Sequence, residues 1–531
     1  MNDFVRALQR VKPLEHFQLG KTPPSAAALK KCLTLVDLIA YGVGCSVGAG
    51  VYSLVGVGAQ IAGPAISLSF LVSGIACIFT SLTYSEFAAR LPVTGSAYTF
   101  VYITFGELSA WLIGWNLTLG YGISAAGIAR SWASYAELFL QHLGIHIPHW
   151  MVATELFGMS CSLLAAILVL VCTFILLAGV HESARFNAFV TLLNISVLVF
   201  VISFGSTQVE SANWDNFMPT GVHGIMTGAG VVFFAYLGFD MVACLAEEVK
   251  EPQKTLPKGI IGSLLISMAI YVGVSLVVTG MAPVSVLGSD VPLVNAFAYH
   301  NTPWAGTIVS YGSIFGLTTA AFTCLMGQPR IFYQMAKDGL LPEVFAKLNR
   351  KTRVPVVSTI FTGVLVASIS FVFDLDFLAN VISCGTLQVF TFVNAGVLLL
   401  RMRSPTDAMG SNRSVVRKVV LYVVACFALS LSFVFDLHWI VSSVLGSLLI
   451  AAFAAIQRLE KTSESSKSFQ CPMVPLVPCL GILANIYMMS SLPAAGWWGV
   501  LIWLTVGIAV YLSYGIRHSA LSKDSIRMPL L

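Results

Sequence analysis

Long apolar runs recur from one end of the chain to the other, with short polar stretches between them. A run of about 20 apolar residues is the length that crosses a lipid bilayer as an α-helix. Fourteen such runs occur, at 33–57, 64–87, 105–134, 158–180, 186–206, 224–246, 259–282, 304–328, 355–373, 378–400, 418–435, 437–457, 475–492 and 496–515. The pattern predicts an all-α integral membrane protein, and we number these segments spans 1 to 14.

Composition and charge support this interpretation. Of the 531 residues, 57% are hydrophobic and 10% are charged, whereas a soluble domain has about 25% charged residues. Cytoplasmic loops collect lysine and arginine, and with a cytoplasmic N-terminus only Arg130 of the 29 such residues falls outside. We therefore expect a surrounding lipid bilayer and two cytoplasmic termini. The plasma membrane is the leading expectation, and a vacuolar or other endomembrane is the alternative.

Glycines interrupt span 1 and span 6, which lie five spans apart. Span 1 contains GVGCSVGAGVY (42–52), and span 6 contains GAGVVFFAYLGFD (228–240). Many transporters are inverted repeats in which two such helices unwind beside a solute at mid-membrane. Close helix packing is the simpler alternative, because Gly44 and Gly48 also form a GxxxG pair. Two matched interruptions flanked by aromatic residues favour a binding site.

Unwound helices expose backbone groups that suit the zwitterion of an amino acid. We expect the α-carboxylate on the amides of residues 47–50, where small residues allow close approach. The ammonium group would face carbonyl groups near residues 44–45 and 233–234. The predicted substrate-binding set is Gly44, Cys45, Ser46, Val47, Gly48, Ala49, Gly50, Phe233, Phe234, Ala235, Tyr236 and Gly238.

Two acidic residues within the spans are candidates for gating or coupling, because charge inside a bilayer is costly and has a partner or a function. Asp240 ends the span 6 motif and either anchors the unwound segment or carries a proton. Glu86, near the inner end of span 2, either lines the solute path or pairs with Arg90 four residues later. The sequence leaves both choices open, with protons as a candidate partner.

Seven stretches follow one another in the order of a known family. They are GVGCSVGAGVY, SEFAARLPVTGSAYTFVY (85–102), GELSAWLIGWNL (106–117), FFAYLGFD (233–240) with AEEVKEPQKTLPKGI (246–260), PRIFYQMAKDGLLP (329–342), CGTLQVFTF (384–392) and CPMVPLVPCLGILANIYMM (471–489). Together they resemble the eukaryotic cationic amino acid transporter family of the amino acid, polyamine and organocation transporter superfamily, from end to end.

The resemblance implies a 5+5 inverted-repeat core with broken helices 1 and 6, followed by four C-terminal helices. On that basis the chain divides into a cytoplasmic N-terminal segment (1–32), a ten-helix transport core (33–401), four additional helices (402–515) and a cytoplasmic tail (516–531). It also implies alternating access to a site for L-amino acids, with the cationic amino acids arginine, lysine and ornithine as the leading substrates.

Two positions bear on coupling and selectivity within this resemblance. Asn194 fits the place where some bacterial relatives have a lysine, so proton coupling does not follow, and membrane potential alone can drive uptake of a cation. Gly120 lies in LTLGY, where many relatives have a stretch like LILEY with Glu or Ser. A carboxylate there would pair with a cationic side chain. Its loss makes a neutral or broad-specificity amino acid transporter the main alternative.

Other function classes fit the sequence less well. The sequence has no mid-membrane histidine cluster and no nucleophile with a placed base, so it gives no indication of an enzyme. We expect no cofactor, no metal site and no nucleic-acid partner. The sequence also lacks the continuous ring of polar pore residues that a channel requires. An amino acid sensor with a transporter fold, which binds solute without moving it, remains an alternative.

Overall fold

The computed structural model describes Arg10, Lys12 and residues 33–522, apart from 94, 157–158, 180–183, 289, 350–351, 353, 404–412 and 462–467. Most of the predicted N-terminal segment and the last part of the predicted tail therefore lie outside the described residues.

Helices make up most of the described chain. The α-helices are α1 (Leu35–Ser46), α2 (Ala49–Tyr52), α3 (Leu54–Ala62), α4 (Ile66–Arg90), α5 (Ser96–Thr104), α6 (Glu107–Thr118), α7 (Ser124–His142), α8 (Leu163–Leu177), α9 (Ala184–Gly205), α10 (Gly221–Val232), α11 (Pro252–Met281), α12 (Val284–Leu287), α13 (Pro292–Tyr299), α14 (Pro303–Lys337), α15 (Val356–Val372), α16 (Leu375–Arg401), α17 (Arg413–Val434), α18 (Trp439–Gln457), α19 (Leu476–Ser490), α20 (Ala494–Val510) and α21 (Ile516–His518).

Tighter and wider turns and four short strands complete the described elements. Turns of 3-10 helix lie at Gly63–Ala65, His149–Met151, Ser206–Gln208, Ser211–Trp214, Phe233–Tyr236, Met241–Glu248 and Glu343–Ala346, and π-helical turns at Leu119–Ile123 and Tyr511–Gly515. Strand β1 (Thr154–Leu156) pairs antiparallel with β2 (Met159–Cys161), and β3 (Met402–Arg403) with β4 (Glu460–Lys461).

Nine helical stretches among the described residues are long and apolar enough to cross a membrane. They are Leu54–Arg90, Asn187–Gln208, Gly221–Ala246, Pro252–Met281, Pro303–Lys337, Leu375–Arg401, Arg413–Val434, Trp439–Gln457 and Ala494–Ser522. Helices α1, α8, α15 and α19 are apolar but shorter. The prediction of a helical membrane protein is confirmed. The count of fourteen spans stays a prediction, because breaks and short helices interrupt several of the predicted runs.

Local sequence signals explain where several helices begin. Thr34 and Asp37 form a capping box at the start of α1, which gives Asp37 a local structural role. The Asp374 side chain accepts the Phe377 amide at 2.8 Å and caps α16. Helix α14 begins at Pro303, whose missing amide hydrogen costs nothing in the first turn.

The helices that carry the two predicted interruptions lie inside the bundle. Helix α11 packs along α1 and α4, α14 packs along α7, and α9 packs against α1. Of the later helices, α19 and α20 pack against α16, while α17 and α18 contact each other. Small residues allow these close approaches, as expected for helices that associate without a hydrophobic driving force.

A polar cluster joins the two ends of the described chain, and we call it the terminal cluster. It consists of Arg10, Lys12, Tyr98, Tyr102, Glu107, Asp338, Tyr511 and Ser519. The buried Glu107 carboxylate accepts hydrogen bonds from the hydroxyl groups of Tyr511 at 3.0 Å and Ser519 at 2.5 Å. The Asp338 carboxylate lies 2.6 Å from the Lys12 ammonium nitrogen. Both ends of the described chain therefore lie at one end of the bundle.

Replacing Glu107 by alanine is expected to lower the apparent unfolding temperature in detergent. The hydroxyl groups of Tyr511 and Ser519 would lose a buried acceptor, at about 1–3 kcal/mol each. Glu107→Gln keeps an acceptor oxygen and should cost less. Intrinsic fluorescence during heating measures both variants. The exposed Glu343 provides the control Glu343→Ala, and an equal effect of the two alanine variants would contradict this role.

Candidate functional site

Span 1 is broken at the predicted position. Helix α1 ends at Ser46 and α2 begins at Ala49, so Val47 and Gly48 lie outside both helices. The Gly48 amide donates to the Ser46 carbonyl at 2.8 Å. In an unbroken α-helix it would donate to Gly44 four residues earlier. The break therefore removes the helical partner of the Gly44 carbonyl and begins a new helix whose first amides have no acceptor within their own helix.

Asn194 on α9 holds this break in place. Its side-chain Nδ2 donates to the Val47 carbonyl at 2.9 Å, and its Oδ1 accepts a hydrogen bond from the Tyr52 hydroxyl. Val47 precedes the new helix and Tyr52 ends α2, so one side chain ties both sides of the break. A Cβ at Gly316 of α14 would overlap the Asn194 amide. Asn194 is thus enclosed between α14 and the broken span.

Span 6 also loses its α-helical form at the predicted position. Helix α10 ends at Val232, and 3-10 turns follow at Phe233–Tyr236 and Met241–Glu248. The Tyr271 hydroxyl donates to the Ala235 carbonyl at 2.9 Å and fixes the first turn. Gly238 has a φ of 137°, which residues with side chains rarely adopt. The glycine is therefore required where the two turns join.

The two breaks lie directly against each other. A Cβ added at Gly50 would overlap the Cβ of Ala235, and one added at Gly238 would lie 2.5 Å from the Ser46 Oγ. Neither position has room for a side chain unless the backbones separate. The matched glycines of the two spans thus permit contact between the two unwound segments.

A narrow cavity lies at this junction, and we call it the central cavity. It is lined by Cys45, Ser46, Gly48, Ala49, Gly50, Gly120, Ser124, Ile128, Phe234, Leu237, Met241 and Cys324. Seven of these positions belong to the sets expected from the sequence: Cys45, Ser46, Gly48, Ala49, Gly50, Gly120 and Phe234. The structure therefore brings most of the span 1 motif together with one aromatic residue of span 6 and with Gly120 of span 3.

Other residues of the expected binding set are buried nearby but do not line the central cavity. Gly44 faces α9, where an added Cβ would lie 2.6 Å from the Thr191 Oγ1. The Phe233 ring packs edge-on against Phe390, with ring centroids 5.6 Å apart. The Tyr236 hydroxyl donates to a carbonyl of α4. The remaining three, Val47, Ala235 and Gly238, have the backbone contacts described above.

Glu86 lies away from the central cavity, in an ionic cluster. Its Oε1 lies 2.8 Å from an Arg90 nitrogen and 3.2 Å from an Arg401 nitrogen, and its Oε2 accepts the Cys471 amide at 2.8 Å. The carboxylate is fully buried. Glu86 therefore joins α4 to the end of α16 and to the segment before α19.

Asp240 is also buried outside the cavity lining. Its Oδ1 accepts the Gly238 amide at 3.2 Å. This contact holds the carboxylate at the junction of the two span 6 turns. No group of three or more His, Cys, Asp or Glu side chains that could hold a metal ion occurs in the described part of the chain.

Five residues of the cavity lining are absent from the expected set: Ser124, Ile128, Leu237, Met241 and Cys324. Ser124 and Ile128 follow Gly120 at intervals of four residues, the spacing of one helix face, so this signal was present in the sequence. The Ser124 hydroxyl donates to the Gly120 carbonyl at 2.7 Å within a π-helical turn. Cys324 on α14 carries no such signal, because the contact arises only from the fold.

The chain is similar in sequence to known amino acid permeases. The sequence model of amino acid permeases matches residues 33–456, and that of the permease C-terminus matches 469–519. The chain is 38% identical to a branched-chain amino acid permease of Bacillus subtilis (strain 168), over 71% of this chain and 82% of the relative. It is 34% identical to a methylthioribose transporter of that bacterium, over 97% of this chain and 100% of the relative.

A vacuolar cationic amino acid transporter of Arabidopsis thaliana is 35% identical, over 98% of this chain and 97% of the relative. The similarity inferred from the seven sequence stretches is confirmed by these near full-length matches. This chain belongs to the amino acid permease family.

Proposed function

We propose that this protein transports L-amino acids across a membrane and binds the amino acid backbone between the two helix breaks. The observation that carries the proposal is the central cavity, where the start of α2 meets the unwound part of span 6. Such a junction offers amide donors on one side and carbonyl acceptors on the other. No catalytic step is part of the proposal.

The carboxylate of the amino acid is placed on the amides of Ala49 and Gly50. The sequence suggested four amides, but those of Val47 and Gly48 already donate to backbone carbonyls at 2.7 Å and 2.8 Å. Ala49 and Gly50 begin a helix, where amides have no acceptor in their own turn. Both residues line the central cavity and bring no bulky side chain toward the ligand.

The ammonium group is placed on the opposite side, at backbone carbonyls. The Gly44 carbonyl has lost its helical partner to the break, and Phe234 lines the cavity. An ammonium group needs such acceptors when it leaves water, because an unpaired buried charge is costly. The Phe234 carbonyl already accepts the Leu237 amide at 3.2 Å, so it would bind the ammonium group through its second lone pair, while the Gly44 carbonyl is the acceptor that the break leaves without its helical partner.

We further propose fourteen membrane crossings and a 5+5 inverted-repeat core at 33–401, with additional helices at 402–515. Two observations support this arrangement. The breaks occur five predicted spans apart and lie in contact. The terminal cluster places both ends of the described chain at one end of the bundle, as an even number of crossings requires. Because lysine and arginine collect in cytoplasmic loops, both termini are assigned to the cytoplasm.

Transport is proposed to occur by alternating access. The central cavity is narrow in this conformation, so an amino acid enters only when the elements around it move. Phe234 is the largest side chain in the lining and stands between the breaks and α7. We assign it the role of a gate. Asn194 and Asp240, which contact the two breaks, are assigned to coupling the movement of α9 and span 6 to the site.

The class of amino acid has two candidates. The resemblance to cationic amino acid transporters favours arginine, lysine and ornithine, and relatives named for cationic and for branched-chain amino acids both align with this chain. Gly120 in the cavity lining favours the neutral class, because it supplies no carboxylate. Membrane potential, a proton gradient or both would drive uptake.

The test is uptake of radiolabelled arginine, lysine and leucine into liposomes that contain the purified protein. We expect saturable uptake of at least one amino acid above that of protein-free liposomes. An imposed potential and, separately, an imposed pH gradient identify the driving force. Tight binding without movement of any amino acid would contradict transport and would favour an amino acid sensor with this fold.

A further inference from the structure

We infer that the side-chain end of the central cavity takes an uncharged, largely apolar amino acid side chain, because the lining between span 3, α14 and the span 6 break carries no charge. This inference rests on the proposed function, since it concerns the same site. It names neutral amino acids with aliphatic or thioether side chains as the substrate class.

The chemistry of the lining is the first observation. The three glycines, Ala49 and the Ser46 and Ser124 hydroxyl groups supply no charge. Ile128, Leu237, Met241 and Phe234 supply apolar surface, and Cys45 and Cys324 supply thiols. A guanidinium or ammonium side chain would leave water here without a carboxylate partner. Aliphatic and thioether side chains gain from the same transfer.

Two of the apolar lining residues, Ile128 and Phe234, lie beside the breaks. The Ile128 Cγ1 lies 3.8 Å from where a Cβ at Gly48 would be, so it faces the break of span 1. The Phe234 Cζ lies 3.4 Å from where a Cβ at Gly127 would be, so its ring reaches α7. Ile128 on α7 and Phe234 on span 6 both contribute apolar surface to the cavity lining. A bound side chain would therefore contact hydrocarbon on two sides.

Acidic residues of the helices around the site already have partners. The Asp240 carboxylate accepts the Gly238 amide. Glu86 pairs with two arginines and with the Cys471 amide. The Asp374 carboxylate caps α16. A cationic side chain in the cavity would have to break one of these arrangements, and an uncharged side chain would not.

Gly120 is the position at which a single change should reverse this preference. A Cβ at Gly120 would lie 3.2 Å from the Thr386 Oγ1, a hydroxyl that can rotate aside. Gly120→Glu would introduce a carboxylate at the cavity wall. Gly120→Gln has nearly the same shape without the charge, which makes it the matched control. A steric effect would be common to both variants, and an electrostatic effect would appear only with glutamate.

The experiment measures exchange at zero potential and equal pH, in liposomes preloaded with both unlabelled leucine and unlabelled arginine. For the wild-type protein we expect radiolabelled leucine, valine and methionine to enter at least about tenfold faster than arginine or lysine, the ratio that 1.4 kcal/mol produces. Gly120→Glu should shift the arginine-to-leucine ratio at least about tenfold towards arginine, and Gly120→Gln should not.

Faster wild-type exchange of arginine or lysine than of leucine would overturn the inference and leave amino acid transport intact. A ratio that moves equally in Gly120→Glu and Gly120→Gln would overturn the assignment of Gly120 to the side-chain end. Absence of exchange for every amino acid would contradict the proposed function instead. Size-exclusion chromatography shows whether each variant is folded. Should Gly120→Glu fail to fold, the wild-type ratio decides the substrate class alone.

Discussion

Replacing Gly48 by leucine is expected to weaken amino acid binding by about 100-fold or more while the protein stays folded. Gly48 lines the central cavity one residue before α2. The added side chain would keep the carboxylate from the amides of Ala49 and Gly50, and charge-assisted hydrogen bonds contribute about 1.5–3 kcal/mol each. Equilibrium binding of radiolabelled leucine to the purified protein measures the loss.

Two control substitutions separate occupancy of the cavity from damage to the fold. Gly48→Ala adds a Cβ only 3.1 Å from the Ala320 Cβ, so a small shift accommodates it and a smaller loss of affinity is expected. Gly446→Leu on α18 meets no atom within 4 Å of the added Cβ and should leave affinity unchanged. Undiminished affinity of folded Gly48→Leu would place the carboxylate elsewhere.

Changing Asn194 to aspartate is expected to reduce the initial uptake rate by about 10- to 100-fold. The substitution removes the Nδ2 donor that binds the Val47 carbonyl at 2.9 Å and sets a carboxylate oxygen against that carbonyl. The break of span 1 would lose the contact that fixes its geometry. Proteoliposome uptake measures the rate, and heating in detergent measures stability.

Tyr52→Phe is the matched control for Asn194→Asp. It removes the hydroxyl that donates to the Asn194 Oδ1 and keeps the hydrogen bond to Val47. A loss smaller than that of Asn194→Asp is expected, since the contact with the broken backbone remains. Wild-type uptake by Asn194→Asp would show that the Val47 contact is not needed for transport.

The glycine pattern was sufficient to locate both breaks, because a side chain would not fit where the two unwound segments touch. Gly50 and Gly238 lie where the two unwound segments touch and have no room for a Cβ. What the pattern could not show is how the amides are used. The Gly48 amide turns back to the Ser46 carbonyl, and this depends on the folded backbone. Of the four amides suggested as donors to the carboxylate, two therefore remain.

The length of the apolar runs predicts well that the chain spans a membrane, and predicts less well how many spans it has. The structure divides the first run between α1, α2 and α3, and a π-helical turn interrupts the third at Leu119–Ile123. Helices α8, α15 and α19 are shorter than 18 residues. A hydropathy pattern does not register such interruptions, because it responds to composition and not to backbone geometry.

The acidic residues show what a single sequence leaves undecided. Arg90 follows Glu86 by four residues and is visible as a partner in the sequence. Arg401 and the Cys471 amide are hundreds of residues away, and only the fold brings them to the same carboxylate. The lining of the central cavity was likewise only partly predictable from the sequence. Ser124 and Ile128 share a helix face with Gly120, whereas Cys324 reaches the cavity from a distant helix.

The central claim is that both backbone charges of an amino acid are bound between the broken helices. Competition against radiolabelled leucine uptake in proteoliposomes tests it most directly, with unlabelled leucine, isopentylamine, which lacks the carboxylate, and isocaproate, which lacks the amino group. The account predicts that only leucine competes strongly, because each analogue leaves one side of the junction unpaired. Competition by isopentylamine or isocaproate equal to that by leucine would contradict the claim.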